Sequence, residues 1–230
     1  MMTDLEDRLG AALALTRAPV AITFTDEAPA GVRKFMGQVP SSCSFWSLAA
    51  SAPRGSSAFV TSPADHHGCA IGAYTHNVEG LDEKALGDML SFMASLGYVR
   101  MEEVPGIPRW SSSPRAIVYA RLGDAPVPPD VVVFALRPAA AMLLAEAAHA
   151  AGAAGGLAPL NRPTCMALPA AAAAGGTLSL GCIGNRVYTR LDDDHMYLVV
   201  RGADLEKILA ALPAISHANH ELRAFHEARV

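Results

Sequence analysis

Ser179-Leu180-Gly181-Cys182-Ile183-Gly184-Asn185-Arg186 is the stretch around which the rest of the sequence arranges itself. The apolar run from Thr177 to Leu180 reads as the end of a strand. The glycines on either side of Cys182 allow a sharp turn and leave its sulfur uncrowded. An earlier stretch repeats this order: Ser57-Ala58-Phe59-Val60-Thr61 reads as a strand, and Gly68-Cys69-Ala70-Ile71-Gly72 follows it. Each Gly-Cys turn is preceded by another cysteine that opens an alanine-rich, helix-like segment. Cys43 opens Ser44 to Ala50, and Cys165 opens Met166 to Ala171. These four are all the cysteines of the chain.

Working outward, the leucines at 5, 9 and 13 recur at helical spacing and predict a helix over residues 3–16. Pro19 to Phe24 reads as a buried strand, and Asp130 to Leu136 echoes it. Strands are also expected at 116–122, 177–180 and 195–200. Helices are expected at 82–97, 139–151 and 204–212, with Pro213 breaking the last and a polar helix following over 216–228. Ser42 and Thr164 stand where they would cap the helices opened by Cys43 and Cys165. Gly152 to Gly156 and Gly175-Gly176 read as hinges, and Val104 to Pro114 as a surface loop. The order strand, loop, Cys-helix, strand, Gly-Cys turn, helix thus occurs twice, with a longer interval between the cysteines of the first copy. The expected fold is α/β: two pseudo-symmetric halves from internal duplication, with a mixed or largely parallel sheet. The halves are 1–115 and 116–230, with the echo of the first strand starting near Pro128, and they pack as one compact unit.

Composition narrows the function. Hydrophobic residues make up 51% and charged residues 17% of 230, and the net charge is −4. A core is easily filled, and no basic run points to nucleic acid. The alanine-rich stretches are too short to span a bilayer. The acidic start lacks a secretory core, which places the chain in the cytoplasm. A reducing compartment turns attention from disulfides to ligands or reactive thiols.

The cysteines admit three readings: small buried residues, ligands of a soft-metal centre, or a nucleophilic thiol, Cys69, with His66 or His67 as base. The CxxC pairs of zinc ribbons and the clustered spacing of ferredoxins are absent. Ligands arriving singly from four distant points suit a centre held between two halves, a cluster more than a zinc knuckle. Arg186 reads as a holder of an anionic substrate or of cluster sulfide, or as a surface ion pair. Asp192-Asp193-Asp194-His195 lacks the full calcium-loop pattern and reads as a solvated turn. His217, His220 and His226 form no HExxH motif and read as exposed.

Pro19-Val20-Ala21-Ile22, Cys43 with Trp46 and Ala49, His66 and Cys69, Pro129 to Phe134, Cys165, and Ser179 to Arg186 together resemble the domain of unknown function 169 family of archaea and bacteria. The resemblance spans nearly the whole chain. It implies a cytoplasmic protein and supports the choice of residues; it brings no agreed reaction. The expected function is an iron–sulfur protein, with oxidoreductase as the enzyme class it would belong to, in which Cys43, Cys69, Cys165 and Cys182 hold one cluster of the [4Fe-4S] type. Zinc is the alternative metal. His66 and Arg186 tune the centre, which serves electron transfer or reduction of a small substrate. Expected partners are a small molecule or a redox protein, and a homo-oligomer is admitted. The alternatives are a metal-free cysteine-nucleophile enzyme built on Cys69, His66 and Arg186, and a small-ligand binding module with structural cysteines.

Overall fold

A computed structural model describes residues 2–153 and 162–229. Strands β1 (Val20–Thr25), β2 (Arg33–Lys34), β3 (Phe59–Thr61), β4 (Ala116–Arg121), β5 (Val131–Leu136), β6 (Gly176–Ser179) and β7 (Met196–Arg201) form one sheet, ordered β2-β3-β4-β1-β5-β7-β6. The sheet is mixed, but only β2 and β3 run parallel. The other five neighbour pairs are antiparallel. This corrects the largely parallel expectation. A helical excursion that returns to the end of the sheet where it began leaves the next strand reversed.

Side chains alternate between the two faces, as a pleated strand requires. Ala21, Val132 and Phe134 enter one core with Leu5, Leu9 and Leu13 of helix α1 (Met2–Leu13). Helices α5 (Pro138–Ala150) and α8 (Leu205–Glu227) complete that layer. Val20, Ile22, Val131 and Val133 enter the other core with Phe45, Trp46 and Ala49 of helix α2 (Ser44–Ser51) and Leu168 of helix α6 (Ala167–Ala174). Helices α3 (Ala70–His76), α4 (Glu83–Ser95) and α7 (Ile183–Thr189) gather on this second side.

β1 and β5 meet in the middle through three residue pairs, Val20 with Val133, Ala21 with Val132 and Ile22 with Val131. Outward from them come β4 then β3 on one side, and β7 then β6 on the other. The registers run in step as well. Ala21 faces Ala120 where Val132 faces Val200, and Tyr119 faces Phe59 where Val199 faces Thr177. Arg121-Leu122-Gly123-Asp124 and Arg201-Gly202-Ala203-Asp204 leave β4 and β7 through matching 3-10 turns. β4 lies between β3 and β1, so residues 116–121 pair with strands that precede residue 115.

Four local expectations change. α8 runs unbroken through Pro213, since its face of Leu205, Ile208, Leu209 and Leu212 is fully packed. α7 occupies residues expected to be a turn, with Gly184 inside the helix; only Gly181, at φ 79°, takes the left-handed conformation that glycine favours. α4 buries only Leu90 of its apolar stripe and leaves Phe92 and Leu96 exposed. Gly175 ends α6 as its left-handed cap instead of acting as a hinge, and the stretch from 154 to 156 lies outside the described residues.

Candidate functional site

Each cysteine stands at the start of a helix. Cys43 directly precedes α2 in helical conformation, and Cys165 sits in the 3-10 turn Thr164–Met166 that leads into α6. Cys69 and Cys182 are the N-cap residues of α3 and α7. Elements far apart in sequence pack together: α2 on α7, and the turn carrying Cys165 on α3. Cys43 and Cys165 share one buried cluster with Ile71 and Leu90, and Cys69 packs against it. The Cys182 amide donates to Thr164 Oγ1 at 2.6 Å, which ties the fourth cysteine to the neighbour of the third. All four are free thiols.

The electrostatics follow from this crowding. Cys43 and Cys165 lie in one buried cluster, and the Cys165 thiol donates to Ile71 O at 4.0 Å. The neighbouring Cys165 thiol holds Cys43 below the ordinary thiol range, against its burial, with Asn185, the backbone and Ser41 assisting. Cys43, together with burial, pushes Cys165 well up. Cys69 is raised by burial and by Cys43, opposed by N–H groups of Gly72 and Ser42 aimed at its sulfur, and raised again by Cys182. The Gly72 N–H lies 3.4 Å from that sulfur. Thiols at helix starts are favoured as thiolates, and burial without a counter-charge opposes it.

Asn185 is 2% exposed and faces Cys43 and the Tyr197 hydroxyl, yet neither its amide N nor its amide O makes a hydrogen bond with a protein group. A buried amide left with four unused hydrogen-bonding positions costs stability unless something else occupies them. Among the described residues, no three His, Cys, Asp or Glu side chains close on a common point at single-ion spacing.

The other expected residues are placed differently. His66 is 1% exposed; its Nδ1 bonds Ser42 Oγ at 3.0 Å and its Nε2 bonds Thr61 Oγ1 at 2.9 Å. Burial pushes it down to about 3, so it is neutral. Both nitrogens being taken, it does not bond Cys69; Ser42 stands between them. Ser42 therefore does not cap α2, nor does Thr164 cap α6. His67 is exposed and bonds Glu79 O at 2.9 Å. Arg186 spends its guanidinium on backbone carbonyls: it donates to those of Leu180 at 2.5 Å, His195 at 2.9 Å and Asp192 at 3.1 Å, tying the segment before α7 to the loop that leads into β7. Asp192 and Asp194 pair with Arg17 and Arg137.

Sequence reasoning missed Asn185 as a site residue, Ser42 as the bridge to His66, and His76. The last is fully buried 5.3 Å from the His66 ring, with both nitrogens unbonded. Only Asn185 had a signal: it follows Cys182 by the same three positions as Gly72 follows Cys69.

No helix among the described residues is long and apolar enough to cross a membrane. No curated protein and no solved structure matches the chain. The sequence profile of the DUF169 family, described as an uncharacterised ArCR family, matches residues 8–211, a span that contains all four cysteines, Asn185 and His66. The chain belongs to the DUF169 family.

Proposed function

We propose that this protein is an iron–sulfur protein of the cytoplasm in which Cys43, Cys69, Cys165 and Cys182 hold one cluster, of the four-iron type, and that its two halves arose by internal duplication. The observation that carries the reading is the gathering of Cys43, Cys69 and Cys165, each at a helix start, in one buried cluster, with Cys182 at a fourth helix start tied by its amide to Thr164 beside it. Matching strand order and register support the duplication. The donor set suits the group: four soft sulfurs, an apolar wall of Ile71, Leu90, Leu86 and Met89, and the unbonded Asn185 amide beside Cys43, placed to donate to sulfur. A single zinc ion would need sulfurs only about 3.8 Å apart, and among the described residues no three ligand side chains close at single-ion spacing. When bound, such a group supplies one-electron chemistry, for a redox partner or a small substrate. The protein's own part is to hold four thiolates, exclude water with the apolar wall, and orient Asn185.

Anaerobic purification with iron and acid-labile sulfide analysis tests this. The expected protein is brown, and Cys43→Ser, Cys165→Ser and Cys182→Ser each lose iron and lower the melting temperature. A chain that stays colourless after anaerobic reconstitution with iron and sulfide refutes it.

The burial of Cys43 and Cys165 in one cluster, with Cys43 at the start of α2, supports a second reading, a metal-free thiol enzyme with Cys43 as the reactive thiolate. It expects Cys43 to alkylate at neutral pH in iron-free protein, and Cys69→Ser and Cys182→Ser to leave that rate unchanged. The version built on Cys69 with His66 as base is not favoured, because Ser42 and Thr61 hold both His66 nitrogens.

A further inference from the structure

At the far ends of α2 and α7 from the cysteines lies a cavity of about 600 Å³, a volume typical of small-molecule sites. Three guanidiniums line it, from Arg17, Arg121 and Arg190, and no carboxylate does. We propose that this cavity binds a small organic polyanion, a molecule bearing two or more phosphate or carboxylate groups.

Charge is the first argument. Arg121 pairs with Glu6 at 2.7 Å and Arg17 with Asp192 at 3.2 Å. Arg190 makes no ion pair among the described residues, so two carboxylates serve three guanidiniums. Arg121 Nε is buried without a partner. Helix C-terminal carbonyls ordinarily repel an anion. Here they are covered: Arg17 donates to Thr189 O and Arg190 O, at 3.4 and 2.6 Å, and Arg121 to Ala52 O at 3.5 Å. The planar guanidinium fork matches carboxylate and phosphate oxygens alike.

The second argument is independent. Arg190 ends α7 in the left-handed conformation, φ 51° and ψ 46°. Glycine normally fills that position, because a side chain there is strained. The fold alone would be better served by glycine, whereas a ligand would be better served by arginine. A neighbouring recess gives the third argument. It shares Arg17, Ala18, Ser47, Ala50 and Thr189 with the cavity and reaches Trp46 and Tyr197, and the buried Trp46 Nε1–H has no partner. Tyr188, in the cavity's own lining, sets an aromatic ring beside the guanidiniums, which suits an organic body carrying acidic groups.

The test uses the full chain, with pyrophosphate and citrate as probes and sodium chloride at matched ionic strength as the control. Thermal shift and calorimetry should show a saturable rise in melting temperature with at least one probe. A preference for pyrophosphate assigns the site to phosphates, and one for citrate to carboxylates. Arg190→Gly should weaken that binding at least tenfold while leaving the melting temperature of the free protein equal or higher, and iron content unchanged. The proposal is overturned if neither probe binds beyond the salt control, or if Arg190→Gly binds as tightly as the parent.

Discussion

Gly72→Ala tests how tightly the cysteine site is closed. A Cβ at residue 72 would lie 2.3 Å from Ser42 Oγ, 2.7 Å from Ser42 Cβ and 3.3 Å from Cys69 Sγ. Ser42 cannot yield freely, because its Oγ is held by His66 and its backbone belongs to the segment that delivers Cys43. Overpacking of this kind costs about 1–3 kcal/mol. Against it stands the gain from replacing a helical glycine with alanine, up to about 1 kcal/mol. The net expectation is a loss of about 1 kcal/mol. In a chain of 230 residues that corresponds to a fall in melting temperature of about 2–4 °C. Gly87→Ala is the control: it sits in the exposed interior of α4, and a Cβ there meets nothing within 4 Å. It should raise stability by up to about 1 kcal/mol. Urea midpoints of the two variants against the parent decide the matter. If Gly72→Ala proves as stable as Gly87→Ala, α3 does not pack on the Ser42 segment as described and the closure argument falls.

Two other expectations follow from buried groups. His66 and His76 are neutral in the folded chain, with burial lowering both. Unfolded imidazoles titrate near 6.5. Below that pH the unfolded chain takes up protons that the folded chain refuses, at His66 down to about pH 3. Stability present above pH 6.5 is therefore lost as pH falls, by up to about 1.4 kcal/mol per pH unit for each histidine. Urea midpoints from pH 7 to 4 should show the slope, and His76→Phe should make it shallower; an unchanged slope in that variant counts against a buried neutral His76. Pro213 lies inside α8, where it removes a backbone donor from the helix ladder. Pro213→Ala should raise stability by about 1–3 kcal/mol in thermal melts, and a lower melting temperature would mean that α8 is not continuous there.

The strands at 20–25, 116–121 and 131–136 were legible because each is a run of β-branched or aromatic residues bounded by turn signals. The doubling of the cysteines was legible for the same local reason. Helix α7 was not, since Gly184, Asn185, Val187 and Thr189 all disfavour helix and only its packing against α2 forms it. Strand direction was hidden because alternation of strands and helices is compatible with either sense. The partners of His66 were hidden because Ser42 lies 24 residues earlier and is local only after folding. The arginine cavity draws on residues near 17, 47, 121 and 190, and no stretch of sequence announces such a set.

The helices that follow Cys69 and Cys182 occupy matching places in the sheet's order, yet they are not equally sheltered. α3 buries six of its seven residues, with α4 packed on it and Leu90 and Val104 roofing the nearby thiols. α7 buries only Asn185 and Thr189; the chain passes from it almost directly into β7, with no helix between to serve as a roof. Leu180, Ile183 and Val187 consequently face outward beside Cys182. Cys69 and Cys182 keep partial exposure, whereas Cys43 and Cys165 are buried. Whatever reaches the thiols, whether an alkylating reagent, an oxidant or the docking surface of another protein, meets Cys69 or Cys182 before Cys43 or Cys165, and α7 is the less sheltered approach.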